Sequence, residues 1–191
     1  MPGSVASVIL SAAMRETHAD IDELQALLDR SYEAAGRHLR SITTPERRVS
    51  ALELCERLTG MCLLVVATVT SDCRPIAGPV DGIFYRGAFH FGTAPDAIRA
   101  RHLRARPQVT ATHLPREEFA VNVHGRAEPV DVRAPEAAGF RETLLEIYVP
   151  RYGEKWEQFI DPPDPSEPAP TYFRIAAERM FSFQMVGEPS V

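Results

Sequence analysis

The sequence predicts a mainly β protein whose strands form a closed or nearly closed antiparallel barrel, with helices packed outside it. Three observations predict this class. Strand-like segments follow one another from residue 61 onward, short turns separate them, and few helical stretches interrupt them. The length of 191 residues suits one domain with an appended element, or two very small domains.

Two helices are predicted ahead of the strands. Apolar residues recur at helical spacing over residues 20–40, which predicts one amphipathic helix; they are Ile21, Leu24, Leu28, Tyr32, Ala35 and Leu39. The run Thr44-Pro45-Glu46 is typical of a helix start, so a second helix is expected over residues 45–59, ending at Gly60. Its inward residues would be Val49, Leu52, Cys55 and Leu58.

The barrel strands begin at residue 61. Residues 61–70 are continuously apolar and rich in β-branched side chains, which predicts a strand buried on both faces. Arg86-Gly87 predicts a tight hairpin, and Gly125 a bulge or a close backbone approach. The other strands are predicted at residues 76–86, 87–93, 108–114, 119–132 and 172–185, the last as one or two strands.

Two further helices and a loop complete the predicted elements. One helix is expected over residues 96–104, and another between Pro135 and Pro150. Residues 161–170 contain five prolines and three acids, which is typical of an extended loop. We assign residues 1–44 as an N-terminal tail and amphipathic helix, and residues 45–191 as the barrel domain.

Charge and cysteine content exclude several classes of protein. The net charge of −5 and the pI of about 5.7 argue against a general nucleic-acid binder or a binder of anionic membranes. The three cysteines form no C-x-x-C pair, so neither a disulfide framework nor a zinc ribbon is indicated. The longest apolar run is too short to span a bilayer, and the N-terminus lacks the features of a signal peptide. A cytoplasmic protein is expected.

The turn between residues 92 and 99 is the strongest candidate for a binding site. A strand ends there in Gly92-Thr93 and a helix begins near Asp96, so backbone N–H groups and the positive end of the helix dipole favour a phosphate. Thr93 adds a hydroxyl, and Arg99 could donate two parallel hydrogen bonds to phosphate oxygens. The alternative is a surface helix whose arginines are merely solvated.

Other candidate residues are weaker. The six histidines have no metal-ligand spacing on one element, so no metal site is predicted. Cys73 beside Arg74 is read as an incidental thiol rather than a reactive one. The tract around Arg151, Tyr152 and Trp156 is either a substrate pocket or packing of the following loop onto the barrel.

The order of these parts resembles the pyridoxamine 5′-phosphate oxidase-like family, the flavin-binding split β-barrels, over roughly residues 45–132 and the closing strand. Its signature of aromatic-x-Thr, a short turn, Ser-x-Lys/Arg and x-x-Asn-Leu is matched by Phe91-Gly92-Thr93, Ala97-Ile98-Arg99 and Arg101-His102-Leu103. A second signature strand is matched by Val123-His124-Gly125-Arg126-Ala127-Glu128. The chain departs from the family pattern at Gly78, Ala97 and Ala120.

The resemblance implies a six- or seven-stranded split barrel that forms a homodimer and binds FMN as an oxidoreductase of a small-molecule substrate. Pro79, Val80 and Asp81 would edge the flavin ring, while Thr93, Arg99 and His102 would complete the cofactor site. Pyridoxamine phosphate itself is not the expected substrate, because no segment for its phosphate is found between Val132 and Ser182.

Two alternatives within this resemblance stay open. A deazaflavin coenzyme (F-420) would use the further arginines Arg101, Arg104 and Arg106 for its acidic tail. The other is a non-catalytic module that binds a cofactor or haem in a stress response. The axial haem ligand would then be His90, His113 or His124.

Overall fold

Six antiparallel strands close into a barrel in the computed structural model, which describes residues 14–164 and 166–186. The strands follow the barrel in the order β1-β2-β3-β6-β5-β4, and β4 pairs with β1 to close it. They are β1 (Met61–Val69), β2 (Pro75–Tyr85), β3 (Ala88–Thr93), β4 (Gln108–Arg116), β5 (Phe119–Val130) and β6 (Thr171–Gln184). The predicted barrel with flanking helices is confirmed, and its closing segment is one long strand.

The predicted helix over residues 20–40 is wrong as a single element. It is two helices, α1 (His18–Glu33) and α2 (Arg37–Ile42), separated at Ala35-Gly36. Thr17 starts α1 by a capping box with Asp20, while Gly36, in extended conformation, is the N-cap of α2. Helical periodicity continued across the break because both helices turn apolar residues toward the barrel. Most of the predicted N-terminal tail, residues 1–13, lies outside the described residues.

The predicted helix over residues 45–59 is also shorter than expected. Pro45–Arg47 forms one 3-10 turn, and the helix α3 (Ala51–Arg57) begins only after Ser50. Ser50 and Glu53 form a capping box, which is a stronger start than the Thr44 hydroxyl, which caps nothing. As a result Leu54 is fully buried, whereas Leu52 is only half-buried.

β1 is buried on one face only, which corrects the prediction of burial on both. Burial alternates along the strand, so that Leu64 and Val66 face the core while Leu63 and Val65 are 60% and 51% exposed. The outer face of β1 is therefore apolar and uncovered in the isolated chain.

Three helices flank the second half of the barrel: α4 (Ile98–Ala105), α5 (Ala138–Tyr152) and α6 (Trp156–Ile160). The prediction that Pro150 ends α5 is wrong, because the helix runs on to Tyr152 and ends at Gly153, whose φ of 90° suits glycine. No regular element is present over the described part of residues 161–170, in agreement with the predicted loop.

α1 is part of the barrel core rather than a separate layer. Leu24, Leu27 and Leu28 belong to the same buried cluster as the inward residues of the strands. The Tyr32 hydroxyl accepts a hydrogen bond from the backbone N–H of Ser182 on β6 at 2.9 Å and donates to the carbonyl oxygen of Ser182 at 2.8 Å. This polar contact anchors α1 to β6.

Candidate functional site

A cleft of about 980 Å³ opens beside β2 and β3, close to the upper size of a small-molecule site. Five parts of the chain form its walls: the middle of β2, the end of β3 with the following turn, the α5–α6 segment, the proline-rich loop and the start of β6. The lining residues are Val80, Asp81, Gly92, Thr93, Ala94, Pro95, Asp96, Tyr148, Tyr152, Lys155, Trp156, Phe159, Pro168, Pro170 and Tyr172.

The arginine-rich turn brings two of the predicted phosphate ligands near this cleft. Thr93 lines the cleft directly. Arg99 is half-buried, and its Nη2 donates one long hydrogen bond of 3.4 Å to the carbonyl oxygen of Pro79. Burial lowers the pKa of the Arg99 guanidinium below its usual value. Its other N–H donors have no protein acceptor among the described residues, so they can bind an anion.

The lack of a side chain at Gly78 leaves space beside β2 for the Arg99 guanidinium. A Cβ atom at residue 78 would stand 3.0 Å from Nη2 of Arg99. The guanidinium therefore occupies the space that a side chain at this position would fill. The departure at Gly78 thus leaves room for a positive charge beside Pro79.

The other arginines in and just after α4 have different environments. Arg104 donates to the carbonyl oxygen of Pro95 at 2.7 Å and to the Thr171 hydroxyl at 3.1 Å, and so fixes the turn. Arg106 donates through Nε to the carbonyl oxygen of Val69 at 3.1 Å. Arg101 is exposed.

His102, predicted among the cofactor ligands, contacts the barrel instead of the cleft. Its Nδ1 lies 3.0 Å from the hydroxyl of Thr68, which is 2% exposed. The structure thus brings Val80, Asp81 and Thr93 together in one cleft with Pro79 and Arg99 at its margin, and it leaves His102 outside the lining.

The α5–α6 segment forms an aromatic wall, defined here as Tyr148, Tyr152, Trp156 and Phe159. Tyr148 stacks between Tyr152 and Trp156, with ring centroids 5.9 Å and 4.7 Å away. Of the predicted pocket residues, Tyr152 and Trp156 line the cleft, whereas Arg151 is not among the lining residues and donates through Nε to the Tyr152 hydroxyl at 3.3 Å. Sequence reasoning missed Tyr148 and Phe159 as lining residues, although Tyr148, Tyr152 and Trp156 recur every four residues, a spacing that places side chains on one helical face.

The polar groups of the cleft are poorly satisfied by the protein. The Asp81 carboxylate accepts one long hydrogen bond, from the Tyr152 hydroxyl at 3.3 Å. The hydroxyls of Tyr148 and Tyr172 have no protein hydrogen-bond partner within residues 14–164 and 166–186, although both residues are 5% exposed. Burial raises the pKa of both phenols above their usual value, so both are neutral donors at physiological pH.

Solved structures share this architecture. The chain matches a conserved hypothetical protein from Mycobacterium tuberculosis with a TM-score of 0.58 and 20% identity, over 77% of this chain and 98% of that one. It matches HutZ, the haem storage protein from Vibrio cholerae (TM-score 0.52, 18% identity, 65% and 87% of the two chains). It also matches an FAD-binding protein from Mesorhizobium loti (TM-score 0.51, 18% identity, 71% and 93%). The chain has the split-barrel fold of these proteins.

At these identities the likeness is one of fold. No protein-family model matches this split barrel, and no curated protein matches it.

Residues 123–128, matched to the second signature strand in the sequence, lie in β5. The register of β5 against β6 shifts between His124 and Gly125, in agreement with the predicted bulge, and Glu128 forms an ion pair with Arg174 at 3.0 Å.

The three histidines considered as axial haem ligands differ in their surroundings. His90 packs against Phe140 with ring centroids 4.5 Å apart, and burial lowers its pKa to about 4. His124 lies on the outer face of the split barrel, 3.0 Å from the Thr110 hydroxyl. His113 lines a second cleft of about 670 Å³, and its Nδ1 contacts the carbonyl oxygen of Leu63 at 2.9 Å.

Two features, a cluster of metal ligands and a membrane-crossing helix, are absent from the described residues. Within residues 14–164 and 166–186, no three His, Cys, Asp or Glu side chains converge on a possible metal position. No helix in that part of the chain combines the length and the apolar character needed to cross a membrane.

Proposed function

We propose that this split barrel binds FMN and acts as an oxidoreductase on a small-molecule substrate. The observation that carries the proposal is the half-buried Arg99 guanidinium, which lies beside Gly78 and Pro79 of β2 with most of its donors unused. The phosphate would bind at Thr93 and Arg99, and the flavin ring would lie along the backbone of Pro79, Val80 and Asp81.

Charge balance supports this assignment. A phosphate carries close to two negative charges near neutral pH, which one arginine, one hydroxyl and the N-terminal amides of α4 can balance. The deazaflavin coenzyme has a longer acidic tail. Arg104 and Arg106 bind backbone carbonyls, and Asp81 and Asp96 line the cleft, so FMN fits the available charges better.

Bound FMN would supply hydride or electron-pair transfer. The chain would orient the ring through β2, hold the phosphate at the turn, and exclude water with the aromatic wall. We assign no residue of the cleft as general acid or base.

The direct test is to purify the protein without added cofactor and to titrate FMN, the deazaflavin and haemin separately, following the visible spectrum. We expect saturable uptake of FMN and weaker uptake of the deazaflavin. Reduction of the bound FMN by NADH or NADPH would favour an enzyme over a non-catalytic module. Tight uptake of the deazaflavin with none of FMN would overturn the cofactor assignment.

Haem is a second candidate, and the contact of His113 favours it. A carbonyl oxygen only accepts, so Nδ1 of His113 carries the proton, and Nε2, which has no acceptor or donor among the described residues, is left with its lone pair. Arg57 and Arg116 line the same cleft and could pair with haem propionates. In the haemin titration a Soret band that disappears in His113→Ala but is kept in His124→Ala would support this site.

We also propose that the protein is a homodimer through the outer face of β1. Leu63 and Val65 lie beside Leu114 of the neighbouring β4, which is 61% exposed, so one sheet surface carries several uncovered apolar side chains. Leu63→Arg should convert the dimer to a monomer in light scattering, whereas Ile42→Arg, an exposed position on α2, should leave the mass unchanged. A monomeric wild-type protein would contradict the proposal.

A further inference from the structure

The cleft holds a negative charge that the protein does not neutralise. Asp81 is half-buried between apolar and aromatic side chains, and no Lys or Arg nitrogen of the described residues lies within 4.0 Å of its carboxylate. Lys155 lines the same cleft but does not pair with it. Partial burial of a carboxylate costs free energy when neither a cation nor a full set of hydrogen-bond donors contacts it. A ligand that supplies a cation and hydrogen-bond donors would therefore bind favourably.

Three tyrosine hydroxyls belong to residues that line the same cleft as Asp81. The Tyr152 hydroxyl contacts Asp81 at 3.3 Å, and the negative charge of Asp81 contributes, after burial, to the raised pKa of Tyr148. Tyr148 and Tyr172 are each 5% exposed as whole residues, and their hydroxyls have no hydrogen-bond partner in the described part of the chain. Phenol oxygens can accept hydrogen bonds from a cationic group that also pairs with Asp81.

The aromatic wall determines the shape of the ligand. Trp156 stacks on Tyr148 with one face, and Pro168 and Pro170 lie across the same cleft. A flat apolar ring suits such walls, and aromatic faces also attract cations. Apolar side chains make up most of the lining, Lys155 is its one basic residue, and Arg99 at the margin is assigned to the phosphate, so an anionic group on this ligand would lack partners.

We propose that this cleft binds a flat aromatic cation without an acidic group, with the ring against the aromatic wall and the positively charged nitrogen on Asp81. Its role as the substrate rests on the proposed flavin function; its binding does not. Asp81 is then a specificity residue that selects the charge of the ligand, while Trp156 supplies the surface for its ring.

The chain offers a direct readout, because Trp156 is its single tryptophan and lines the cleft. The probes are benzamidine, benzamide and benzoate, which share a flat ring and nearly the same size but carry charges of +1, 0 and −1. Acetamidine carries the amidinium without the ring. Each is titrated against cofactor-free and FMN-saturated protein while tryptophan fluorescence is followed.

Benzamidine should bind at least about tenfold more tightly than benzamide, because hydrogen bonds to a charged group are the stronger ones. Benzoate should bind most weakly, and acetamidine at least about tenfold more weakly than benzamidine, because it buries no ring. In Asp81→Asn the preference for benzamidine over benzamide should disappear. Asp22→Asn, which changes the same charge at an exposed position on α1, should keep it.

Asp81→Ser removes the same carboxylate and keeps the test valid if Asp81→Asn does not fold. Equal binding of the three ring probes, or an unchanged preference in both Asp81 variants, would overturn the proposal. Equal affinity of acetamidine and benzamidine would overturn its aromatic part. If FMN is not taken up while the charge preference holds in cofactor-free protein, the proposed flavin function fails and the ligand assignment stands.

Discussion

Replacing Gly125 with alanine is expected to lower the free energy of unfolding by about 3 kcal/mol. Gly125 lies at the register shift between β5 and β6. A Cβ atom there would overlap the carbonyl oxygen of Ala176 and stand 3.0 Å from both the carbonyl carbon of Ala176 and Cα of Ala177. These are backbone atoms of a central strand of the barrel, so the clash is relieved only by deforming the pairing of the two strands.

The measurement is urea denaturation of Gly125→Ala and the wild type, compared at equal m-value. Gly60→Ala is the matched control, because a Cβ atom at residue 60 would meet no atom within 4 Å. The control should change the stability by less than about 1 kcal/mol. Equal stability of the two variants would show that the bulge tolerates a side chain.

Arg99→Ala is expected to weaken FMN binding by about 10- to 100-fold, because it removes the charge-assisted hydrogen bonds to the phosphate. The fold should be little affected, since among the described residues the Arg99 guanidinium makes only the long hydrogen bond to Pro79. Arg99→Lys should recover part of the affinity, because an ammonium keeps the charge but not the two parallel donors.

Arg101→Ala is the control for this experiment. It removes the same charge from the same helix at an exposed position and should leave the FMN dissociation constant within about threefold of the wild-type value. Both constants are measured by fluorescence quenching of FMN, and circular dichroism confirms folding. Wild-type affinity in Arg99→Ala would show that the phosphate is held elsewhere.

The turn between residues 92 and 99 shows what local sequence patterns can predict. Gly92-Thr93, the short turn and Arg99 lie within eight residues of one another, so their order along the chain already limits their positions in space. The same holds for the hairpin at Arg86-Gly87, where both residues have positive φ. The bulge at Gly125 is another local signal that the structure explains.

Helix ends show where local signals compete. Thr44-Pro45-Glu46 has the residues typical of a helix start, but the helix begins after Ser50. Ser50 is the N-cap because its capping box with Glu53 satisfies two backbone groups. In addition, the hydroxyl of Ser182, a fully buried residue of β6, forms hydrogen bonds with the backbone N–H and carbonyl of Val49. That second contact joins residues 133 positions apart.

From sequence alone one can derive the barrel class, the positions of the strands along the chain and the composition of the turn at residues 92–99, since each depends on patterns within a few residues. The exposed face of β1 and the meeting of Asp81 with Tyr148 and Tyr172 could not be derived in this way. Those residues come from β2, α5 and β6. Which side of a strand is covered, and which distant side chains share a cleft, depends on barrel closure and helix packing, and these bring together groups that no local pattern relates.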